Sequence, residues 1–317
     1  MKAVLLDWAT MGPDLDISEL RTLLPELVLY DETEDEQIAE RIAGAEIVLG
    51  NKVLISESLF AGAPEMRFIG LTATGTDNVD LDAARRHGVA VANIRAYCSQ
   101  SVAEHVFACV LHFAHSIGDY AKDVRAGEWQ RADVFCLLTH PIVELSSMTL
   151  GIVGYGELGR SVARIAGAFN MDVIVAARPG TGAVPEGRVS MDELLARSDV
   201  ISLHCPLNDA TRGLFGEAEF RAMKSSAVLI NTARGGLVDS AALAAALRRG
   251  EIAAAAVDVL PSEPPANGDP LLDYEADNLL VTPHIAWGTL TARQNAVDEL
   301  TANIAAFLNG ESRNRVD

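Results

Sequence analysis

The chain has 317 residues, with 25 Lys and Arg against 44 Asp and Glu and a formal net charge of −19. Hydrophobic residues make up 49% and charged residues 22%, which excludes an intrinsically disordered chain; a length of about twice a typical domain points to two domains. So acidic a chain repels phosphate backbones and anionic headgroups, and no local basic patch offsets this, so nucleic acid and membrane surfaces are excluded as partners.

Taken in chain order, short apolar runs at 3–6, 27–30, 47–49, 68–71 and 89–91 alternate with helix-length segments such as 34–42 and 81–87. This βαβ rhythm predicts a parallel sheet covered by helices. Between 99 and 117, Val102, Val106, Cys109, Val110 and Phe113 recur at helical spacing and predict one long, mostly buried helix. The stretch 118–147, with Gly127, Trp129 and Pro141, is less regular. A loop of that length generally has a function, and it is read as an arm contacting a second subunit, hence a homodimer. From residue 150 the rhythm restarts, with strands expected at 150–153, 172–176, 200–203, 227–231, 253–259 and 279–282 and helices at 159–169 and 240–249. Six strands after a glycine-rich first turn fit a doubly wound dinucleotide fold. The amphipathic segment 290–308 has too little chain after it to found a domain, so it is expected to pack on something earlier.

The start, from Met1 to Asp7, reads directly as a strand rather than as a secretory signal. Cys98, Cys109, Cys136 and Cys205 form no CxxC pair and are expected as free thiols in a reducing, cytoplasmic setting. No apolar run approaches the roughly 20 residues that span a bilayer. His112 and His115 lie three apart on the long helix, but no third ligand accompanies them, so no metal is expected. His87, His105, His140 and His204 are read as structural or surface residues.

Gly154-Tyr155-Gly156-Glu157-Leu158-Gly159 forms a GxGxxG after an apolar strand and before a helix whose apolar face includes Val162, Ile165, Ala166 and Phe169. Gly154 allows the tight turn, Gly156 lets the backbone approach a pyrophosphate, and Gly159 permits close helix–strand packing. The helix N-terminus supplies unpaired N–H groups and a positive dipole end. An acidic residue at the end of the next strand would bind the adenosine ribose of NAD. None is present there, and Arg178 stands beside the expected place. A guanidinium pairs with a 2′-phosphate, so NADP(H) is favoured, with NAD(H) the alternative.

Three further residues each follow a strand: Arg234, Glu263 and His284. In an open parallel sheet such positions converge on the ligand crevice. Reduction of a 2-keto acid needs a cation to hold the carboxylate and polarise the carbonyl, which suits Arg234. It also needs a proton donor, which suits His284, while Glu263 would orient the imidazole and stabilise its protonated form.

With these residues in view, the chain resembles the D-isomer-specific 2-hydroxyacid dehydrogenases along nearly its whole length. The strings Gly151-Ile152-Val153-Gly154-Tyr155-Gly156, Leu203-His204-Cys205-Pro206-Leu207, Asn231-Thr232-Ala233-Arg234-Gly235 and Pro283-His284-Ile285-Ala286 carry the likeness. The resemblance implies Arg234, Glu263 and His284 as the catalytic set and a nicotinamide cofactor. It implies that backbone N–H groups at Thr74 and Gly75 hold the substrate carboxylate and that Ser101, Cys205, Pro206, Thr211, Thr232, Ala233, Asp258 and Ala286 line the cofactor site. Lys52, after a strand, is expected at the far end of the substrate. Trp287 after Pro283-His284-Ile285-Ala286, together with Ser101 to His105, looks most like the glycerate dehydrogenase and hydroxypyruvate or glyoxylate reductase branch, which implies a small 2-keto or 2-hydroxy acid.

Two features depart from the pattern. The acidic residue after the second nucleotide-domain strand is missing, and Ser225 stands where many members have proline, a neutral change. The resemblance implies an α/β architecture of two doubly wound, Rossmann-like domains with an interdomain cleft: 1–98 plus 288–317 binding substrate, 99–287 binding the dinucleotide, and closure expelling water from the hydride path. Competing readings are a nucleotide-sensing regulator on the same fold and a phosphite dehydrogenase-like enzyme. Formate dehydrogenases carry an amide in place of the glutamate, so Glu263 argues against them.

Overall fold

The computed structural model describes residues 1–180 and 184–317. Their contacts divide the chain into two units, one made of Met1–Cys98 with Gly288–Asp317 and one of Ser99–Trp287. In the first, β1 (Lys2–Leu5), β2 (Glu26–Leu29), β3 (Ile47–Gly50), β4 (Phe68–Leu71) and β5 (Ala90–Ala92) form a parallel sheet in the order β2-β1-β3-β4-β5. The helices α1 (Ser18–Leu23), α2 (Asp35–Ile42), α3 (Glu57–Gly62) and α4 (Leu81–His87) connect them. β3 and β4 are buried at every position, as central parallel strands must be, whereas β2 buries only Leu27 and lies at the edge. α4 shows why such segments start and stop where they do. Asp80 caps it by accepting from the Ala83 N–H, and Gly88, at φ +69°, ends it in the left-handed region.

The C-terminal helix (Leu290–Leu308) belongs to this first unit. Leu300, 1% exposed, packs so closely on β4 that a Cβ on Gly70 would come within 2.6 Å of its Cδ1. Asn303 Nδ2 donates to the Asn93 carbonyl at 2.8 Å, the Arg313 guanidinium grips Glu299 at 2.9 Å through both oxygens, and the Val316 N–H reaches the Val91 carbonyl at 2.9 Å. The segment expected to need an earlier partner thus closes the sheet that the first residues began.

In the second unit, α5 (Ser99–His115) and α6 (Ile117–Arg125) precede a βα series: β6 (Thr149–Val153), α7 (Glu157–Ala168), β7 (Asp172–Val175), α8 (Met191–Arg197), β8 (Val200–Leu203), α9 (Glu217–Ala222), β9 (Val228–Asn231), α10 (Ser240–Arg249), β10 (Ala254–Val257) and β11 (Leu279–Val281). The six strands are parallel in the order β11-β10-β9-β8-β6-β7. Val189 adds a single parallel bridge to Ala176 beyond β7. With that bridge counted, strands run outward from β6 on both sides, which is the doubly wound plan, and the order reverses between β6 and β8.

Three sequence expectations change. The stretch 118–147 is not irregular throughout, because α6 occupies Ile117–Arg125. The long helix expected over 99–117 is a single helix that ends at His115; Ser116, at φ +46° with its Oγ on the Pro141 carbonyl, separates it from α6. α7 begins at Glu157, not Gly159, because an N-terminal turn is defined by its free N–H groups rather than by its apolar face. Among the described residues no helix is long and apolar enough to cross a membrane.

Replacing Leu300→Ala removes a side chain with no room for collapse around it, and an unfolding titration should show the first unit losing roughly 2–5 kcal/mol. An unchanged midpoint would mean that the C-terminal helix is not part of that core.

Candidate active site

Gly154 carries the tightest constraint at the switch point. Its φ is +94°, and a Cβ there would sit 2.5 Å from the Cys205 nitrogen and 2.6 Å from the His204 carbonyl carbon. The His204 N–H donates to the Val153 carbonyl at 2.7 Å, so β6 and the end of β8 are in direct backbone contact. A Cβ on Gly159 would meet the Gly154 carbonyl oxygen at 2.2 Å, so that glycine lets α7 lie against the strand. Gly156 differs. Its φ is −73°, and a Cβ there would meet nothing within 4 Å. The protein itself does not require glycine at 156; a pyrophosphate lying against the N–H groups of the twelve-residue α7 would. The residues present therefore fit a dinucleotide.

Glu157, at the start of α7, takes the Ser99 hydroxyl. Tyr155 is exposed, with the Arg160 guanidinium on its carbonyl at 3.3 Å, and Leu158 is half-buried. Arg178 is exposed just past β7. Thr211, 3% exposed, donates from Oγ1 to the Pro206 carbonyl at 2.7 Å. Burial pushes the His204 imidazole down to about 4, so it is neutral at neutral pH; burial pushes the Cys109 thiol up to about 11 and raises Cys205 as well. Neither thiol offers a thiolate nucleophile.

Beside this turn the ends of β9, β10 and β11 carry the titratable set. His284 Nδ1 lies 2.5 Å from Glu263 Oε2, and Glu263 Oε1 accepts from the Leu260 N–H at 2.8 Å. The carboxylate is thus fixed at one oxygen and fixes the imidazole with the other. With Nδ1–H given to the carboxylate, His284 Nε2 is left without a protein partner among the described residues. Arg234 is placed from the other side. Buried Asn231 donates from Nδ2 to the Arg234 carbonyl at 3.0 Å and accepts from the Ala233 N–H at 3.1 Å. A Cβ on Gly235 would fall 2.0 Å from the Leu260 carbonyl carbon, so only glycine brings the Arg234 loop against the Glu263 loop.

His284 adopts φ +54°, an uncommon conformation for a residue with a side chain. Asp258, 2% exposed, holds it there. The Asp258 carbonyl accepts the His284 N–H at 2.8 Å, and its carboxylate accepts from the Thr282 hydroxyl at 2.5 Å and from the Ile285 and Ala286 N–H groups at 2.9 Å each. Ser101 Oγ donates to the Ala286 carbonyl at 2.6 Å, tying α5 to the same loop. Ser101 and Asp258, expected from the sequence at the cofactor site, therefore position the His284 loop. Thr232 Oγ1 is shut off from solvent with no protein partner among the described residues. Among those residues no group of three His, Cys, Asp or Glu could hold a metal ion.

The first unit builds a loop edge of its own. Asp7, 6% exposed, accepts from the N–H groups of Asn51, Lys52 and Val53 at 2.8, 2.6 and 3.2 Å, and Asn78 Nδ2 donates to the Val53 carbonyl at 3.0 Å. Lys52 is thereby presented at the end of β3. Asn93 Nδ2 donates to the Thr74 carbonyl at 2.7 Å, and Thr74 Oγ1 to the Ile94 carbonyl at 3.0 Å, which sets the Thr74-Gly75 turn at the end of β4. Sequence reasoning named Lys52, Thr74 and Gly75 as candidates but not the residues that shape their loops and the Arg234 loop: Asp7, Asn78, Asn93 and Asn231. A polar residue directly after an apolar strand was the available signal for most of them.

The family profile described as the NAD-binding domain of D-isomer-specific 2-hydroxyacid dehydrogenases matches residues 107–286. A glycerate dehydrogenase of Methylorubrum extorquens is 43% identical over 283 residues, covering 89% of this chain and 88% of that protein. A hydroxypyruvate reductase of Blautia hydrogenotrophica is 36% identical over 324 residues, covering 100% of both. Among solved structures, the TT0316 protein of Thermus thermophilus superposes with a TM-score of 0.86 at 31% identity, covering 100% of both chains. On its glycine turn, its paired Glu263 and His284 and these similarities, the chain belongs to the D-isomer-specific 2-hydroxyacid dehydrogenases, oxidoreductases that use a nicotinamide cofactor.

Proposed function

We propose that the protein reduces a small 2-keto acid, glyoxylate or hydroxypyruvate, to the D-2-hydroxy acid with NADPH. The observation that carries this reading is the Glu263–His284 pair at 2.5 Å with the imidazole Nε2 open, beside a turn fitted for pyrophosphate. The names of the 43% and 36% identical relatives support the substrate class. A nicotinamide cofactor bound at the glycine turn would supply the hydride. His284 holds a proton at Nε2 and passes it to the oxygen that becomes the hydroxyl, and Glu263 stabilises the imidazolium and fixes its orientation. Arg234 pairs with the carboxylate and polarises the carbonyl. In the unit of 1–98 plus 288–317, read as substrate-binding, the N–H groups of Thr74 and Gly75 hold the carboxylate and Lys52 meets the far end. The unit 99–287 is read as dinucleotide-binding, and Arg178 pairs with the 2′-phosphate of NADP(H).

A homodimer and a cytoplasmic setting complete the proposal. Among the described residues, eight of the eighteen exposed large hydrophobic side chains fall between 117 and 143: Ile117, Val124, Trp129, Val134, Phe135, Leu138, Ile142 and Val143. Phe135 is 89% and Leu138 79% exposed. So concentrated an apolar surface is the kind that association covers, and a second copy of the chain is the partner chosen here.

Purified protein mixed with glyoxylate, hydroxypyruvate and larger 2-keto acids should oxidise NADPH, fastest with the two small acids; no turnover with any of them would overturn the proposal. His284→Ala should lower kcat by about 10²–10⁴-fold and Glu263→Gln by less. Arg178→Ala should lower kcat/KM with NADPH by about an order of magnitude and leave NADH nearly as before; equal efficiency of the two cofactors in the parent protein would remove that role. Sedimentation should give a dimer, and the double change Phe135→Asp with Leu138→Asp should give a monomer.

A further inference from the structure

Arg188 differs from the many arginines of this acidic chain that pair with carboxylates. Arg197, Arg221, Arg249, Arg293 and Arg313 all pair with carboxylates. Arg188 is half-buried, and among the described residues its guanidinium has neither a carboxylate nor a hydrogen-bond acceptor. Its contact is the ring of Tyr155, whose centroid lies 4.7 Å from the guanidinium carbon. A cation partly withdrawn from water without an anion is costly. Its retention beside a phosphate-binding turn points to an anion that arrives with a ligand.

The position says which anion. Arg188 directly precedes Val189, whose N–H donates to the Val175 carbonyl at 3.0 Å and whose carbonyl accepts the Ala177 N–H at 2.8 Å. It therefore belongs to the strand-like segment beyond β7, on the side away from β6. Tyr155, between Gly154 and Gly156, brings its ring to this segment. The end of β7 is where a doubly wound domain receives the adenosine ribose, whereas the pyrophosphate lies at the helix N-terminus. We propose that Arg188, seated on the Tyr155 ring, is a second guanidinium for the 2′-phosphate of NADP(H), and so a cofactor-specificity residue. This rests on the reading of NADP(H) preference and deepens it.

The ring contact explains how one long side chain can serve this purpose. Guanidinium stacking on an aromatic face leaves the N–H edges pointing sideways, and those edges match two phosphate oxygens. The ring also confines a side chain that would otherwise lose rotamer freedom on binding. The 2′-phosphate then meets Arg178 from just past β7 and Arg188 from the segment bridged beside it.

Calorimetric titration of the purified full-length protein with 2′,5′-ADP, 5′-AMP and 5′-ADP tests this without turnover. Arg188→Ala should weaken 2′,5′-ADP about tenfold, the loss of one charge-assisted contact, while 5′-AMP and 5′-ADP bind as before. The ratio of KM for NADPH to KM for NADH should rise by a similar factor. Tyr155→Phe should bind 2′,5′-ADP like the parent, and Tyr155→Leu should lie between the parent and Arg188→Ala. Unaltered 2′,5′-ADP binding in a folded Arg188→Ala protein, confirmed by an unchanged thermal midpoint, would overturn the assignment of Arg188 alone. An equal loss for 5′-ADP would place the guanidinium on the pyrophosphate instead and overturn it too. If the parent protein binds 2′,5′-ADP no better than 5′-AMP, the NADP(H) reading fails and takes this assignment with it.

Discussion

The carboxylate of Asp258 is the constraint on which the candidate catalytic loop depends. It is buried at the end of β10, where an anion persists only if its oxygens are fully hydrogen-bonded. The donors it collects are the Thr282 hydroxyl and the N–H groups of Ile285 and Ala286, so satisfying the aspartate folds the segment after β11 back over β10. That fold forces His284 to φ +54° and turns its Nδ1 to Glu263. The same loop receives Ser101 through the Ala286 carbonyl. One buried charge thus sets the backbone of the residue proposed as proton donor.

The first unit repeats the device with different sequence. Asp7, buried after β1, collects the N–H groups of Asn51, Lys52 and Val53 and so shapes the loop that follows β3. Strand ends of parallel sheets leave N–H groups without ladder partners, and a carboxylate can take several at once. In both units the buried acid sits just past one strand and organises the loop of the neighbouring strand. A positioning acid of this kind touches no substrate in the proposed scheme; it holds what does.

Charge is distributed to match. A net charge of −19 describes the exterior and would by itself repel both anionic ligands proposed here. At the glycine turn Glu157 accepts from the Ser99 hydroxyl, and the end of β7 carries Arg178 where an acid could stand. Arg160 and Arg188 both lie against Tyr155. Burial keeps the His204 imidazole behind the turn neutral.

Most of the fold was legible in the sequence because buried parallel strands are short, nearly continuous apolar runs whose signal is local. The glycine turn was legible as a motif: Gly159 answers a steric demand made within a few residues of chain, whereas Gly154 answers one made by His204 and Cys205 from the next strand, and Gly156 leaves its approach open. Arg234, Glu263 and His284 could be named because each follows a strand. What only the tertiary structure decided was pairing at a distance. The break at Ser116, the seating of the C-terminal helix on Gly70, the contact of Gly235 with Leu260, and the partners of Asp7, Asp258, Asn231 and Arg188 join residues from separate segments. Residue type and local period say which groups must be buried or hydrogen-bonded, but the partner that satisfies a buried polar group is fixed by the packing of other elements.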